Sequence, residues 1–482
     1  MHEGGGLPCT RLTARQALAA VTDSYRELPE PPGGCAPAVP GPPPNAPPGR
    51  TAPARLPTGP AGPDGPLGWR GYDEARARAR ARTGEDESVV AALAVIGGTE
   101  AVVLSFEFRY LGGSLGERTG DRLAAAYAEA RARRLPVVSL IATGGSRMQE
   151  GMRALTQLQR VARQSALNRA AGLPQIAVLR DPTTGGGWAT LGAAADVILA
   201  LPGAQIGFAG SRVRPPDADP HAYSAEGQLA SGQIDAVVPA DRLRGTLQRW
   251  LRLLCPPGGS AGPDVEPAPP PKALGAPGLP ESGWQAVLRA REAGRPHAEA
   301  YLAAYFDDRE EISGDRCGGV DPGLRCGFGR RGGRTIAFAA QCGTATHPAG
   351  FRTAARLVRL ADHLGIPVLT LVDTPGAAND ATAERAGAGA AIADCFAALA
   401  TARVPVTSLL IGEGGSGGAL ALAAPGRLWA TPDSYFSVIA PELAAAILKR
   451  DVGQIHDTAD QLRIRPQDLL ELDVIRGIVP RA

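Results

Sequence analysis

Val404-Pro405-Val406-Thr407-Ser408-Leu409-Leu410-Ile411-Gly412-Glu413-Gly414-Gly415-Ser416-Gly417-Gly418-Ala419-Leu420-Ala421 is the stretch whose reading decides the fold. It opens as an apolar, β-branched run of strand type and continues into an alanine-rich segment that reads as a helix. A strand entering a helix through glycines leaves bare backbone N–H groups at the helix start, with no Cβ to keep a ligand oxygen away. A tight turn needing positive φ would account for one glycine pair, but this cluster is denser and has a counterpart upstream. Pro136-Val137-Val138-Ser139-Leu140-Ile141 leads into Ala142-Thr143-Gly144-Gly145, as Pro367-Val368-Leu369-Thr370-Leu371-Val372 leads into Asp373-Thr374-Pro375-Gly376. Pro174 then leads to Gly185-Gly186-Gly187, as Pro405 leads to Gly417-Gly418. Pro136 and Pro174 are 38 residues apart, and so are Pro367 and Pro405; from Pro174 to Gly186 and from Pro405 to Gly417 the step is 12. The chain is a duplicated unit, each half with two strand–glycine turn–helix elements.

At 482 residues the chain is long enough for two or three domains with cores, and 44% apolar content is that of a globular protein. A net charge of +2 implies neither nucleic acid nor an acidic membrane surface as partner. Lysine occurs only at Lys272 and Lys449, so arginine carries the positive charge. No apolar run reaches membrane-spanning length, and the N-terminus lacks the pattern of a secretory signal. Seven cysteines, an odd number without CxxC spacing, fit reduced thiols in the cytoplasm rather than disulfides or a metal site.

Taken in order, residues 1–66 read as a disordered leader, a short helical pattern over 12–28 followed by a Pro/Gly/Ala run. The first domain is expected over 67–255, opening with strands at 91–96 and 101–108 around Gly97-Gly98 and a helix over 120–134. A Pro/Gly-rich linker over 256–281 precedes a second domain over 282–482.

Both halves together resemble the carboxyltransferase component of acetyl-CoA carboxylase, arranged as a bacterial β subunit fused ahead of an α subunit. Carrying the β likeness are Gly112-Gly113-Ser114, Gly144 through Gly151, Asp181-Pro182-Thr183-Thr184-Gly185-Gly186 and Pro202 through Gly210. The α likeness lies in Gly314-Asp315-Arg316, Asp373 through Ala377, Gly412 through Ala419 and Tyr435 through Glu442. The resemblance implies an α/β fold of two tandem crotonase-like domains built from stacked ββα units. It implies transfer of a carboxyl group from carboxybiotin, on a biotin carboxyl carrier protein, to acetyl-CoA, giving malonyl-CoA for fatty acid biosynthesis. It also implies a homodimer, with the first half of one copy meeting the second half of another. The chain has neither a biotin-attachment Met-Lys-Met motif nor an ATP-grasp sequence, so carrier and biotin carboxylase are expected on separate chains. In one respect it departs from the family: the four-cysteine zinc ribbon that usually opens the β subunit is missing, so no zinc and no nucleic-acid binding are expected.

The glycine turns suit that chemistry. An acyl thioester enolate and a biotin ureido oxygen both develop negative charge, and a preorganised N–H donor contributes about 3 kcal/mol to such a transition state. Gly144 and Gly145 with Gly185 and Gly186 are assigned to one hole, and Gly376 with Gly417 and Gly418 to the other. By resemblance the first holds the enolate and the second the biotin oxygen. Gly414, Gly415, Arg147, Arg212 and Tyr435 are the expected ligand contacts, and plainer readings stand beside three of them. Arg147 and Glu150, three apart, have the spacing of a packing ion pair; Arg212 fits either a CoA phosphate or solvent; Tyr435 fits a core or interface aromatic as well as a biotin pocket. His297, His347 and His363 are read as structural. Three other readings of the fold are a malonyl-CoA or malonate decarboxylase, stabilising the same enolate, another short-chain acyl-CoA carboxylase, and a subunit that binds without catalysis.

Overall fold

The computed structural model describes residues 12–31, 62–255 and 265–482. The chain divides into two compact units, one reaching Ala225 and including Val238–Gln248, the other made of Glu226–Val237 and Arg249–Ala482.

In the first unit β1 (Ser24–Glu27), β2 (Val89–Ile96), β3 (Thr99–Phe106), β4 (Val137–Thr143), β5 (Gln175–Thr184) and β6 (Val197–Ala200) lie side by side in that order, with β7 (Ile206–Gly207) against the end of β5. The first three are antiparallel and the pairs from β3 to β6 parallel. Gly97 and Gly98 close the β2–β3 hairpin at φ +56° and +81°, the two left-handed values that a two-residue hairpin turn requires. Every residue of β4 is buried, which is why it reads as an unbroken apolar run rather than an alternating one.

The second unit repeats the plan. β8 (Asp308–Ile312), β9 (Leu324–Arg331), β10 (Arg334–Gln341), β11 (Val368–Thr374), β12 (Val406–Gly415), β13 (Leu428–Ala430) and β15 (Gly477–Ile478) follow one another across its sheet, with β14 (Tyr435–Ser437) on the end of β12. The repeat holds residue by residue. Val137 pairs with Gln175 and, 231 residues on, Val368 pairs with Val406. The parallel ladder breaks between Ile141 and Thr143 in one unit and between Val372 and Thr374 in the other. Leu369, Leu371, Leu409 and Ile411 join Phe338 and Tyr301 in the core beneath the second sheet.

Two expectations change. Residues 12–31 are not a disordered leader: Thr13 caps a helix over Ala14–Val21 that buries Ala14, Ala17, Leu18 and Val21, and β1 extends the sheet along β2. The short amphipathic pattern suffices because an open sheet edge receives it. Residues 1–11 and 32–61, with Cys9 and Cys35, lie outside the described residues, as do 256–264 of the expected linker. From 265 onward that linker is laid on the second unit. Ala268 and Ala273 are buried in its core, the Pro269 carbonyl accepts the Tyr305 hydroxyl at 2.7 Å, and the Ala273 N–H donates to the Pro480 carbonyl at 2.9 Å. Prolines give up their own N–H but keep the carbonyl, and here those carbonyls are used. Among the described residues no helix is long and apolar enough to cross a membrane.

Candidate active site

The first glycine turn follows Thr143, where the chain passes Gly144 and Gly145 (φ +105°) toward Ser146. The second follows Thr184, where Gly185 (φ +64°) starts a helical turn. The two are packed on each other: a methyl group built on Gly185 would sit 3.0 Å from the Gly145 Cα. Only glycines at both points permit that approach. Not all four predicted donors are available, however. The Gly144 N–H is spent on the Gly112 carbonyl (2.8 Å), the Gly145 N–H on the Thr143 hydroxyl (3.0 Å) and the Gly185 N–H on the Phe208 carbonyl (3.1 Å). Gly186 and its unpredicted neighbour Gly187 carry the amides that stand in the first helical turn without an intrahelical acceptor. Gly144 and Gly145 form the wall of this turn, with their own N–H hydrogens already bonded.

That wall borders a cleft of about 830 Å³, lined among others by Ser114, Gly144, Ser146, Thr184, Arg212 and Arg214. The Ser146 Oγ and the Arg214 Nη2 are buried there without a hydrogen-bond partner. Arg214 is otherwise fully held, its guanidinium 3.8 Å over the Tyr223 ring, Nε donating to the Ala209 carbonyl and Nη1 to Gln205. Arg212 is exposed on the rim. Orphaned donors in the residues that line a cleft fit an acyl-CoA, whose thioester and phosphates offer only acceptors.

Arg147 does not reach into this cleft with its charge. Its guanidinium is 1% exposed and lies between Glu87 and Glu150, while Nη2 donates to the Ser114 carbonyl at 2.8 Å. Glu150 also accepts the Tyr72 hydroxyl and the Glu117 N–H at the start of the helix Glu117–Arg133. Desolvation opposes the charge on Arg147, but Glu87 more than offsets it and holds the guanidinium above its ordinary value. Burial pushes the Glu87 carboxyl up; the charge and hydrogen bonds of Arg147 outweigh that and leave it below the usual carboxylate range. The expected ligand contact is therefore a brace: the Arg147 N–H bonds the Leu115 carbonyl (2.9 Å) and the Leu115 N–H the Gly145 carbonyl (2.9 Å).

In the second unit Gly376 (φ +142°) donates to the Thr374 hydroxyl at 3.1 Å, as Gly145 does to Thr143. Ser416 (φ +55°) stands where Gly185 stands, and Gly417 and Gly418 supply the first-turn amides of the helix Ser416–Leu420. A side chain on Gly417 would meet nothing within 4 Å, so the chain is open to one side of its Cα. Gly414 and Gly415 prove to be packing positions rather than ligand contacts: a Cβ on Gly414 would press on Phe436 at 2.8 Å, and one on Gly415 would overlap the Pro375 carbonyl. Tyr435 is likewise turned inward, 1% exposed, with its hydroxyl on Glu413. Burial pushes that phenol up and the Glu413 charge adds to the effect. His297, read as structural, faces Asp373 at 3.1 Å. Ser146, Arg214 and Asp373 went unselected because an isolated serine, arginine or aspartate has no pattern until the fold surrounds it.

The family model described as carboxyl transferase domain matches residues 68–237, and that described as acetyl co-enzyme A carboxylase carboxyltransferase-like matches 281–482. Acetyl-coenzyme A carboxylase carboxyl transferase subunits beta/alpha of Salinispora arenicola is 40% identical over 85% of this chain and 76% of its own length. Its namesake in Saccharopolyspora erythraea is 38% identical over 85% and 74%. A probable biotin-dependent acyl-coenzyme A carboxylase beta3 subunit of Mycobacterium tuberculosis is 36% identical over 85% and 83%. Among solved structures, transcarboxylase 12S superposes with a TM-score of 0.74 at 21% identity, over 97% of this chain and 86% of that one, which carries the crotonase-type fold to both units. The chain belongs to the acetyl-CoA carboxylase carboxyltransferase family, as an enzyme in which β-like and α-like halves are fused and act as a biotin-dependent acyl-CoA carboxyltransferase.

Proposed function

We propose that the enzyme transfers the carboxyl group of carboxybiotin, borne by a biotin carboxyl carrier protein, to acetyl-CoA, forming malonyl-CoA for fatty acid biosynthesis. The observation that carries this reading is the repeated turn: two units present the same backbone, each ending in first-turn amides of a short helix without an intrahelical acceptor. The first unit takes the acyl-CoA, with Gly186 and Gly187 toward the thioester oxygen and Ser146, Arg212 and Arg214 along the cleft. The second takes the biotin, with Gly417 and Gly418 toward its ureido oxygen. When bound, carboxybiotin would supply the carboxyl group and, once that group has left its ureido nitrogen as CO2, the base for the acyl proton, so the chain itself contributes orientation and anion stabilisation. Two anions met by preorganised amides would draw several kcal/mol from each site.

A homodimer working in the cytoplasm, beside a separate biotin carboxylase, completes the proposal. In support, each unit exposes large apolar side chains near its turn: Met148, Met152 and Leu155 in the first, Val438, Leu443 and Ile447 in the second. Patches of this kind mark association surfaces. The test is a panel of acetyl-, propionyl- and longer acyl-CoAs with carboxylated carrier, run beside malonyl-CoA loss with and without biotin. Acetyl-CoA should give the highest kcat/KM and malonyl-CoA loss should need biotin. Loss at the same rate without biotin would establish the decarboxylase instead.

A further inference from the structure

The ladder between β11 and β12 runs regularly to Val372/Leu410 and breaks before Thr374/Gly414. At the break the Glu413 N–H finds no backbone carbonyl and donates to the Asp373 Oδ1 at 3.1 Å. The same oxygen takes the Arg295 Nη2 at 2.6 Å, and Oδ2 faces the His297 Nδ1 at 3.1 Å. The backbone of Asp373 is held too, its carbonyl by the Gly343 N–H at 2.8 Å and its N–H by the Gln341 Oε1 at 3.3 Å. Gln341 in turn donates to the Gly418 carbonyl and to Thr346, each at 3.1 Å, and the Thr346 N–H reaches the Gly376 carbonyl at 3.0 Å. The fully buried carboxylate thereby ties the end of β11, which bears it, to the end of β12 through Glu413, while the contacts of Gln341 with Gly418 and Thr346 reach Asp373 through its backbone. The first unit has Ala142 at the matching place, opposite Pro182. A proline has no N–H to satisfy, so no acceptor is needed there. The aspartate occurs in the half whose broken ladder leaves a donor open.

We propose that Asp373 is a positioning residue of the carboxyltransferase: its carboxylate sets the distance between the Gly376 turn and the Gly417–Gly418 amides. It touches neither substrate and acts through the backbone. The inference rests on the function proposed above, and its test is chosen so that the two can fail separately. In the full-length protein, Asp373→Asn keeps the shape and one acceptor oxygen but removes the charge that holds Arg295. A displacement of about 1 Å at a reacting site costs on the order of 100-fold, so kcat should fall by about 10- to 100-fold with KM for acyl-CoA and carrier within about threefold. Amide hydrogen exchange should quicken at 374–378 and 412–418 and stay unchanged in the β12 core at 406–410. Arg295→Lys should give the same pattern more weakly, and the double variant should be no worse than Asp373→Asn alone. A kcat within about twofold of wild type, or exchange that quickens evenly through the second unit, would overturn the proposal. If the wild type carboxylates no acyl-CoA, the functional reading fails and the exchange pattern still decides the role of Asp373.

Discussion

The two glycine turns of this enzyme share a backbone and differ in what holds it. In the first unit the brace comes from behind, where Arg147 between Glu87 and Glu150 fixes Leu115 and through it Gly145. In the second it sits in the strand, where Asp373 takes the N–H that the broken ladder leaves open. Ala142 and Pro182 need no such group; Asp373 and Glu413 do. What the halves have in common is the chain path that leaves two first-turn amides without an intrahelical acceptor, and unlike side chains reach it by unlike routes. Changes to the path should therefore cost most, changes to a brace less, and changes at the periphery least.

Gly415→Ala changes the path. Its Cβ would overlap the Pro375 carbonyl, a backbone group that cannot swing aside. We expect kcat to fall by on the order of 100-fold or more, read in the carboxylation assay with carrier. Gly144→Ala in the first unit is the contrast. It has only the Gly112 carbonyl nearby, at 3.4 Å, and it borders the cleft. There the loss should appear mainly in KM for the acyl-CoA. Equal kcat losses from both would mean that the two turns are not differently packed.

Removing the braces comes next. Arg147→Met leaves two buried carboxylates without their cation, a change that costs about 3–5 kcal/mol. The outward-facing Arg291, which pairs with Glu413 and Glu442 in the second unit, is 34% exposed, and Arg291→Met should cost about 1 kcal/mol or less. Urea unfolding of both variants measures the difference. Acid extends the comparison. Because the Glu87 carboxyl is held below its unfolded value, its contribution is complete above that value and is lost as pH falls through the folded one. In Arg147→Met burial, the largest influence on Glu87, is opposed only by the hydrogen bonds from Ser88 and Thr119, so the shift should reverse and lowering the pH should then stabilise this site. An unchanged pH dependence would show that Glu87 owes nothing to Arg147.

The repeat was legible in the sequence because prolines and glycines act at fixed offsets whatever surrounds them: Pro136, Pro174 and Gly186 recur at Pro367, Pro405 and Gly417. The hairpin at Gly97-Gly98 and the buried β4 were legible for the same local reasons. The braces were not. Glu87 meets Arg147 across 60 residues and Arg295 meets Asp373 across 78, so no spacing rule links them. Which glycines donate was hidden as well, because the amides of Gly144 and Gly185 are spent on carbonyls at Gly112 and Phe208 that only the folded chain brings near. The proline-rich segment from 265 reads as a linker until the acceptors of its carbonyls are in place.

The smallest effect lies farthest from the chemistry, at the helices that deliver the chain to β4 and β11. Both close with the same backbone bond, the Leu135 N–H on the Ala130 carbonyl at 2.8 Å in one and the Ile366 N–H on the Ala361 carbonyl at 2.9 Å in the other. That closure needs a left-handed residue, which is Gly365 (φ +67°) in the second unit and Arg134 (φ +54°) in the first. A side chain in that conformation costs roughly 1–2 kcal/mol, and glycine returns about 0.5–1 kcal/mol of it through the freedom of the unfolded chain. Arg134→Gly should then raise stability by a few tenths to about 1 kcal/mol, and Gly365→Arg should lower it by a similar amount. Activity should not change in either variant, since neither residue bears on a glycine turn. Shifts in urea midpoint of equal size and opposite sign would show that the halves pay differently for one geometry; a loss from Arg134→Gly would mean that the arginine side chain holds the helix end by contacts of its own.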